Sequence, residues 1–183
     1  MSQKHFNFKT VGLLLGSFDP PHIGHIDAAL QSINLVDEVW FVPAWQNPWK
    51  EKSSDYWDRY LMLNTLVKNY NLDDSYRFSV RSIEYTIKPK YTYELIEYLV
   101  KQYSDTQFFI IGGQDIEQDI KNWKNSDYIL DKCILLPIDR HRINISSTEI
   151  RELIKCHNNP IPYITPAVLE LIKNKNLYNE NNE

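Results

Sequence analysis

Between a short apolar run, VGLLL (Val11–Leu15), and an amphipathic stretch, IDAALQSINLV, stand ten residues, GSFDPPHIGH, from Gly16 to His25. That order reads as buried strand, tight loop and helix. Gly16 permits the close approach of a ligand, or a backbone angle closed to other residues. Pro20 and Pro21 stiffen the loop and keep the helix from starting early. His22 and His25 lie three apart, so they project from one face if both are helical. The exposed N–H groups and positive dipole end of such a helix favour an anion. Two imidazoles beside it read as apparatus for handling phosphate. An isolated His-x-x-His is more often surface decoration or a cap; the Gly, Ser, Asp and two Pro around this pair move the reading. A zinc site is set aside, because no nearby Cys or third His completes the usual ligand set.

The strand-then-helix pattern recurs. Strands are expected at Val11–Leu15, Glu38–Val42, Arg77–Ile83, Gln107–Gly112 and Lys132–Pro137. Helices are expected at Ile23–Leu35, Tyr56–Tyr70, Thr92–Tyr103 and Ile116–Trp123, with two more near Ser147–Cys156 and Thr165–Lys175. Alternation of this kind predicts an α/β chain with a five-stranded parallel sheet, helices on both faces and a C-terminal helical segment. The first and fourth strands end in glycine, Gly16 and Gly112-Gly113. Ligands of open α/β sheets bind beyond strand C-termini where the strand order reverses, so neighbouring first and fourth strands would put both glycine turns on one crevice. No repeat or long linker marks a domain boundary, so residues 1–183 are expected to form one domain, with 179–183 as a frayed tail.

Composition excludes some functions. A net charge of −4 argues against a protein that wraps nucleic acid. With two cysteines, Cys133 and Cys156, no disulfide framework is implied and a reducing cytoplasm fits. The five-residue apolar run near the N-terminus is too short for a signal peptide or a membrane span, so no membrane partner is expected. A homo-oligomer is left open.

A second motif, INISSTEIREL, runs from Ile143 to Leu153. Ser-Ser-Thr before a helical pattern supplies an N-cap, and Glu149 can close a capping box with Ser146. Arg151 lies about one turn inside. As structure alone this is a well-capped helix with a solvated Arg. As a site, hydroxyls, free N–H groups and a guanidinium converge where a polyphosphate could dock.

Taken together, GSFDPPHIGH resembles the GxFxPxHxGH signature of the nucleotidyltransferase α/β-phosphodiesterase superfamily. ISSTEIR resembles its second signature in the form found in nicotinate-nucleotide adenylyltransferases. DEVWFVPAWQNPWK, DRYLMLNTLV, GQDIEQDIKNW and ITPAVLELIKNKNLY are similar to further segments of that family, in the same order along almost the whole chain. Two departures stand out. The family's His before the lysine is Trp49, and its SYTxDTL segment is KYTYELI, with Glu94 and Leu95 in place of Asp and Thr.

The resemblance implies a Rossmann-like, doubly wound nucleotidyltransferase domain that transfers the adenylyl group of ATP to nicotinate mononucleotide, with Mg²⁺ accompanying ATP, in NAD biosynthesis. By the same resemblance His22, His25, Lys50 and Arg151 are the catalytic set. Gly16, Ser17, Phe18, His22, His25, Gly113, Asp115, Ile145, Ser146, Thr148 and Arg151 would bind ATP. Ser17, Lys50, Tyr91, Thr92 and Trp123 would bind the pyridine mononucleotide. Amides around Lys90–Thr92 suit a nicotinate carboxylate, whereas Glu94, turned inward, would suit a nicotinamide. Asp19 is expected to order its loop. The alternatives are nicotinamide mononucleotide as acceptor, another transferase such as phosphopantetheine adenylyltransferase or a cytidylyltransferase, and a nucleotide-binding sensor.

Overall fold

A computed structural model describes residues 9–46, 54–70, 77–139, 143 and 145–179. Five strands make one sheet: β1 (Lys9–Gly16), β2 (Glu38–Pro43), β3 (Phe78–Val80), β4 (Thr106–Gly113) and β5 (Cys133–Ile138). Every pairing is parallel and the order is β3-β2-β1-β4-β5. The chain winds outward from β1 through β2 to β3, then crosses back to lay β4 on the other side of β1. The order therefore reverses between β1 and β4, as the two glycine turns required. Their pairing runs to Leu13↔Ile110, three residues short of Gly16 on one strand and of Gly113 on the other.

Side chains alternate across the strands with period two, so each strand feeds two cores. Leu14, Val39, Phe41 and Ile111 face one side, against Ile26 and Ala29 of α1 (Ile23–Ser32), Met62, Leu63 and Leu66 of α2 (Tyr56–Tyr70), Ile150 of α7 (Ser147–Lys155), and Val168 and Ile172 of α8 (Pro166–Asn174). Val11, Leu13, Trp40, Val42, Phe108 and Ile110 face the other. There they meet Leu95, Ile96 and Leu99 of α4 (Thr92–Gln102), Ile116 of α5 (Ile116–Asp119) and Ile129 of α6 (Ser126–Lys132). Helices on both faces bury both sides of the central strands β1 and β4, which is why VGLLL and FFII read as continuous runs.

Several boundaries differ from expectation. The strand expected at Arg77–Ile83 is three residues long, and Ile83 instead opens a short helix, α3 (Ile83–Ile87). As an edge strand it pairs with β2 alone. The helix expected at Ile116–Trp123 breaks after Asp119 into a 3₁₀ turn over Ile120–Asn122. Helix α1 ends at Ser32, short of Leu35. Helix α6 was not expected; it keeps Lys132, so β5 starts at Cys133. At Gly112 an added Cβ would stand 2.7 Å from the Ile116 side chain, so only glycine lets α5 turn so tightly off the end of β4.

Beyond the strand ends, main-chain carbonyls lose their ladder partners. Arg59 of α2, only 2% exposed, answers three of them and also the carbonyl of Ser54, just before its own helix. Its Nη1 donates to Ser17 O at 2.7 Å, Nη2 to Ala44 O at 2.8 Å and Trp45 O at 3.3 Å, and Nε to Ser54 O at 3.1 Å. This guanidinium ties the loop after β1 to the segment after β2. Removing a buried, fully bonded charge leaves its partners unpaired, so Arg59→Met should cost about 3–5 kcal/mol in urea unfolding, with Arg59→Lys restoring only part. A loss below about 1 kcal/mol would show that these bonds contribute nothing beyond what water supplies.

Candidate active site

The loop that carries the first motif is shaped by its aromatic residue. No described glycine has a positive φ, so Gly16 has no left-handed backbone; the residue in that region is Phe18, at φ 53°. Such a conformation costs a non-glycine residue about 1–2 kcal/mol. Burial offsets it: the Phe18 ring is enclosed, edge-on to His25 at 4.8 Å and against Phe41 at 6.1 Å.

His22 is the N-cap of α1, with extended backbone, so only His25 of the pair is helical. The two rings nevertheless meet, with centroids 3.8 Å apart and planes tilted by 34°. His25 Nδ1 accepts the His22 N–H at 3.1 Å, which places the proton of a neutral His25 on Nε2. Ile23 N–H, at the mouth of the helix, donates to Tyr163 O at 2.9 Å. The His25 N–H donates to His22 O at 2.9 Å, so three of the amides expected to hold an anion are engaged, and the helix start offers its dipole and imidazoles more than its N–H groups. Burial pushes the His22 imidazole down to about 4, a shift that Glu149 opposes, so the ring is neutral at pH 7. Its Nδ1 is enclosed without a hydrogen-bond partner among the described residues. A Cβ on Gly24 would stand 2.9 Å from that Nδ1. The glycine inside the motif is therefore what lets the His22 ring fold over the helix start.

The second motif docks directly onto the first. Arg151 Nη1 donates to Asp19 O at 2.6 Å and Nη2 to Thr148 Oγ1 at 3.1 Å. Ser147 Oγ donates to Pro20 O at 2.9 Å. The capping box forms as expected: Glu149 Oε2 accepts from Ser146 N–H at 2.7 Å and from its hydroxyl at 2.6 Å, and Ser146 Oγ accepts the Glu149 N–H at 3.2 Å. Asp19 orders the loop, as expected. Its carboxylate accepts the Tyr178 hydroxyl at 2.6 Å and the Ser54 N–H at 3.2 Å. Ile145 packs on the core beside this junction.

Topology puts the remaining candidates along the same edge of the sheet. Gly113 ends β4 and Asp115 caps α5. Tyr91 and Thr92 open α4, whose far end leads back into β4, so its start lies at the strand C-termini. Trp123 follows the 3₁₀ turn and is half-buried on the core face that holds Leu95 and Ile96. Glu94 does not turn inward. Its Oε2 accepts the N–H groups of Lys90 at 2.6 Å and Tyr91 at 3.3 Å, and Oε1 accepts the Tyr93 hydroxyl at 3.3 Å. The carboxylate caps its own helix instead of making the inward turn that would suit a nicotinamide, and it occupies two of the three amides that would suit a nicotinate carboxylate. The Lys90 ammonium lies 5.3 Å from the Tyr91 ring centroid and keeps its charge nearby. Lys50 and Trp49 lie outside the described residues.

Gly24→Ala should displace the His22 ring and return it to solvent. In the wild type the His22 Cε1 proton should stay untitrated from pH 8 to about 5, and in the variant its midpoint should climb toward the ordinary value of about 6.5. Because the unfolded chain binds this proton and the folded chain does not, stability should fall as the pH drops from about 6.5 toward 4. An ordinary midpoint in both proteins would mean that His22 is not enclosed as described.

Residues 13–153 match the cytidylyltransferase-like family model. A protein of Shouchella clausii (strain KSM-K16) named "Probable nicotinate-nucleotide adenylyltransferase" is 35% identical, over 96% of this chain and 100% of its own. One of the same name from Halalkalibacterium halodurans is 34% identical, over 94% and 93%. The Plasmodium falciparum nicotinic acid mononucleotide adenylyltransferase complexed with NaAD shares the fold at a TM-score of 0.75 and 21% identity, covering 93% of this chain and 97% of its own. The chain belongs to the cytidylyltransferase-like nucleotidyltransferases and, within them, to the nicotinate-nucleotide adenylyltransferase family.

Proposed function

We propose that this protein transfers the adenylyl group of ATP to nicotinate mononucleotide, forming nicotinate adenine dinucleotide and pyrophosphate in NAD biosynthesis. One observation carries the reading beyond family membership: the Arg151 guanidinium, 2.6 Å from Asp19 O, joins the second motif to the loop that bears the His22–His25 pair. Polyphosphate ligands need this kind of convergence of a helix start, imidazoles and a planar cation.

A 5′-phosphate oxygen of the mononucleotide attacks the α-phosphorus of ATP, the bond to the bridging oxygen breaks, and pyrophosphate leaves with the electron pair. The nucleophile is already anionic, so the protein's work is alignment and charge stabilisation. In our reading His25 donates from Nε2 to a phosphate oxygen, and neutral His22 lines the same face. Arg151 holds polyphosphate oxygens through N–H groups other than those given to Asp19 and Thr148, while Ser146 and Thr148 flank it. Gly16, Ser17, Phe18, Gly113, Asp115 and Ile145 shape the ATP side, and Lys50 adds charge. Tyr91, Thr92 and Trp123 border the mononucleotide. Mg²⁺ enters as part of the substrate, on ATP oxygens and water. Both Asp19 carboxylate oxygens already have protein partners, so ATP oxygens and water would supply the ion's ligands. No described helix is long and apolar enough to cross a membrane. Two free thiols support our placing the enzyme in the cytoplasm.

The Glu94 carboxylate, committed to its own helix, does not serve a carboxamide, and the Lys90 ammonium is the charge left at that helix start for a nicotinate carboxylate. Pyrophosphate release with MgATP should therefore give nicotinate mononucleotide at least a tenfold advantage in kcat/KM over the nicotinamide form, on the order of one mismatched polar group. An equal or reversed ratio would move the acceptor assignment, and no pyrophosphate with either would favour the sensor. His25→Ala should fold normally by circular dichroism yet lose about 10²-fold in kcat. Near wild-type turnover would remove His25 from the mechanism.

A further inference from the structure

The main chain leaving β2 is gripped at one residue from every side. Trp45 O accepts from Arg59 Nη2, and the preceding Ala44 N–H donates to Gly16 O at 2.8 Å. The Trp45 ring lies edge-on to Tyr85 at 5.2 Å and beside Tyr56 at 5.8 Å, with the Lys88 ammonium 4.8 Å from its centroid. Its N–H donates to Glu84 Oε2 at 2.8 Å, 39 positions away on α3. That acid belongs to none of the phosphate-binding motifs. α3 is also the helix that leads, through left-handed Lys88, into the Lys90–Thr92 segment.

We propose that Glu84 is a positioning residue for the acceptor: through the Trp45 N–H it fixes the Ala44–Trp45 main chain on the mononucleotide side of the crevice, and it relaxes that hold when its carboxyl takes up a proton. The inference rests on the acceptor reading above. Three groups face the carboxyl from the elements packed on it: the Trp45 N–H from the segment after β2, and the Arg59 guanidinium and Tyr56 hydroxyl from α2. The N–H and Arg59 favour the ionised form. The side chain is part-buried, and the desolvation of its carboxyl opposes both and outweighs them, raising the group to about 7. A glutamine would accept the same N–H without the desolvation cost, but as a neutral bond roughly half as strong as the charge-assisted one, so a hold that changes with pH requires an acid.

Ionised Glu84 therefore tightens the wall while weakening the fold. Its folded value lies above its unfolded one, so stability contributed by the protonated form is lost as pH rises from the ordinary carboxylate range through about 7. A residue serving stability alone would behave in the opposite sense on replacement.

Glu84→Gln separates the two. At about pH 8 its melting temperature should equal or exceed the wild type's, while KM for nicotinate mononucleotide rises about fivefold, with KM for ATP and kcat within about twofold. Wild-type KM for the mononucleotide should fall more steeply from about pH 6 to about pH 8 than the variant's, in which the substrate's own phosphate still titrates. Glu84→Asp, which keeps the charge on a shorter arm, should share the raised KM. In protein labelled with ¹⁵N-tryptophan, the Trp45 backbone amide should titrate with a midpoint near 7 in the wild type and not in Glu84→Gln. Unchanged KM and pH profile in Glu84→Gln, or a wild-type Trp45 amide flat from about pH 5.5 to 8.5, would overturn the proposal. Should the wild type adenylylate no pyridine mononucleotide, the proposed function fails, and the Trp45 titration alone still supports or overturns the Glu84 anchor.

Discussion

A parallel sheet ends in carbonyls and amides that have no next rung, and everything built at its C-terminal edge must satisfy them. Here two arginines answer several of the carbonyls. Arg59 reaches from beneath, taking carbonyls from Ser17, Ala44, Trp45 and Ser54. Arg151 reaches from α7 and takes Asp19. A guanidinium suits both places, because its fixed fork of donors matches several carbonyls at once and its charge is weakly hydrated. The loops so held form the rim of the crevice at the β1/β4 reversal, and the rest of the architecture delivers helices to that rim.

The same accounting explains why the histidine motif has its particular residues. Gly24 leaves room for one imidazole to lie over the helix start, the second imidazole accepts the first one's amide, and Phe18 fills the space behind them. Function and packing are not separate demands on these positions. A substitution that spares the imidazoles but adds one carbon at Gly24 disturbs both.

Much of this was legible in the sequence, for reasons of length and burial. Strands buried on both faces give unbroken apolar runs, and α2, α4, α7 and α8 each span two turns or more with a clear apolar face. Helices α3 and α6 gave no such signal, since α3 buries no residue fully and α6 buries Ile129 alone. The bonding of Glu94 and of the α1 amides was not legible, because helix-start bonding is decided by where a side chain folds back, which spacing does not reveal. Arg59 did leave a trace. It lies on the stripe completed by Met62, Leu63, Leu66 and Val67, and a cation on an apolar face must be buried with partners.

Asp19 draws its partners from positions 54, 151 and 178, and the first turn of α1 hands its amide to Tyr163. A ribosome makes the chain in the other direction. Residues 9–113 can emerge and pair β1 with β2 and β4 while the loop at the heart of the site still lacks Arg151, Tyr163 and Tyr178. The sheet can therefore be an early product of synthesis and the nucleotide crevice a late one, closed only when the last helix has docked.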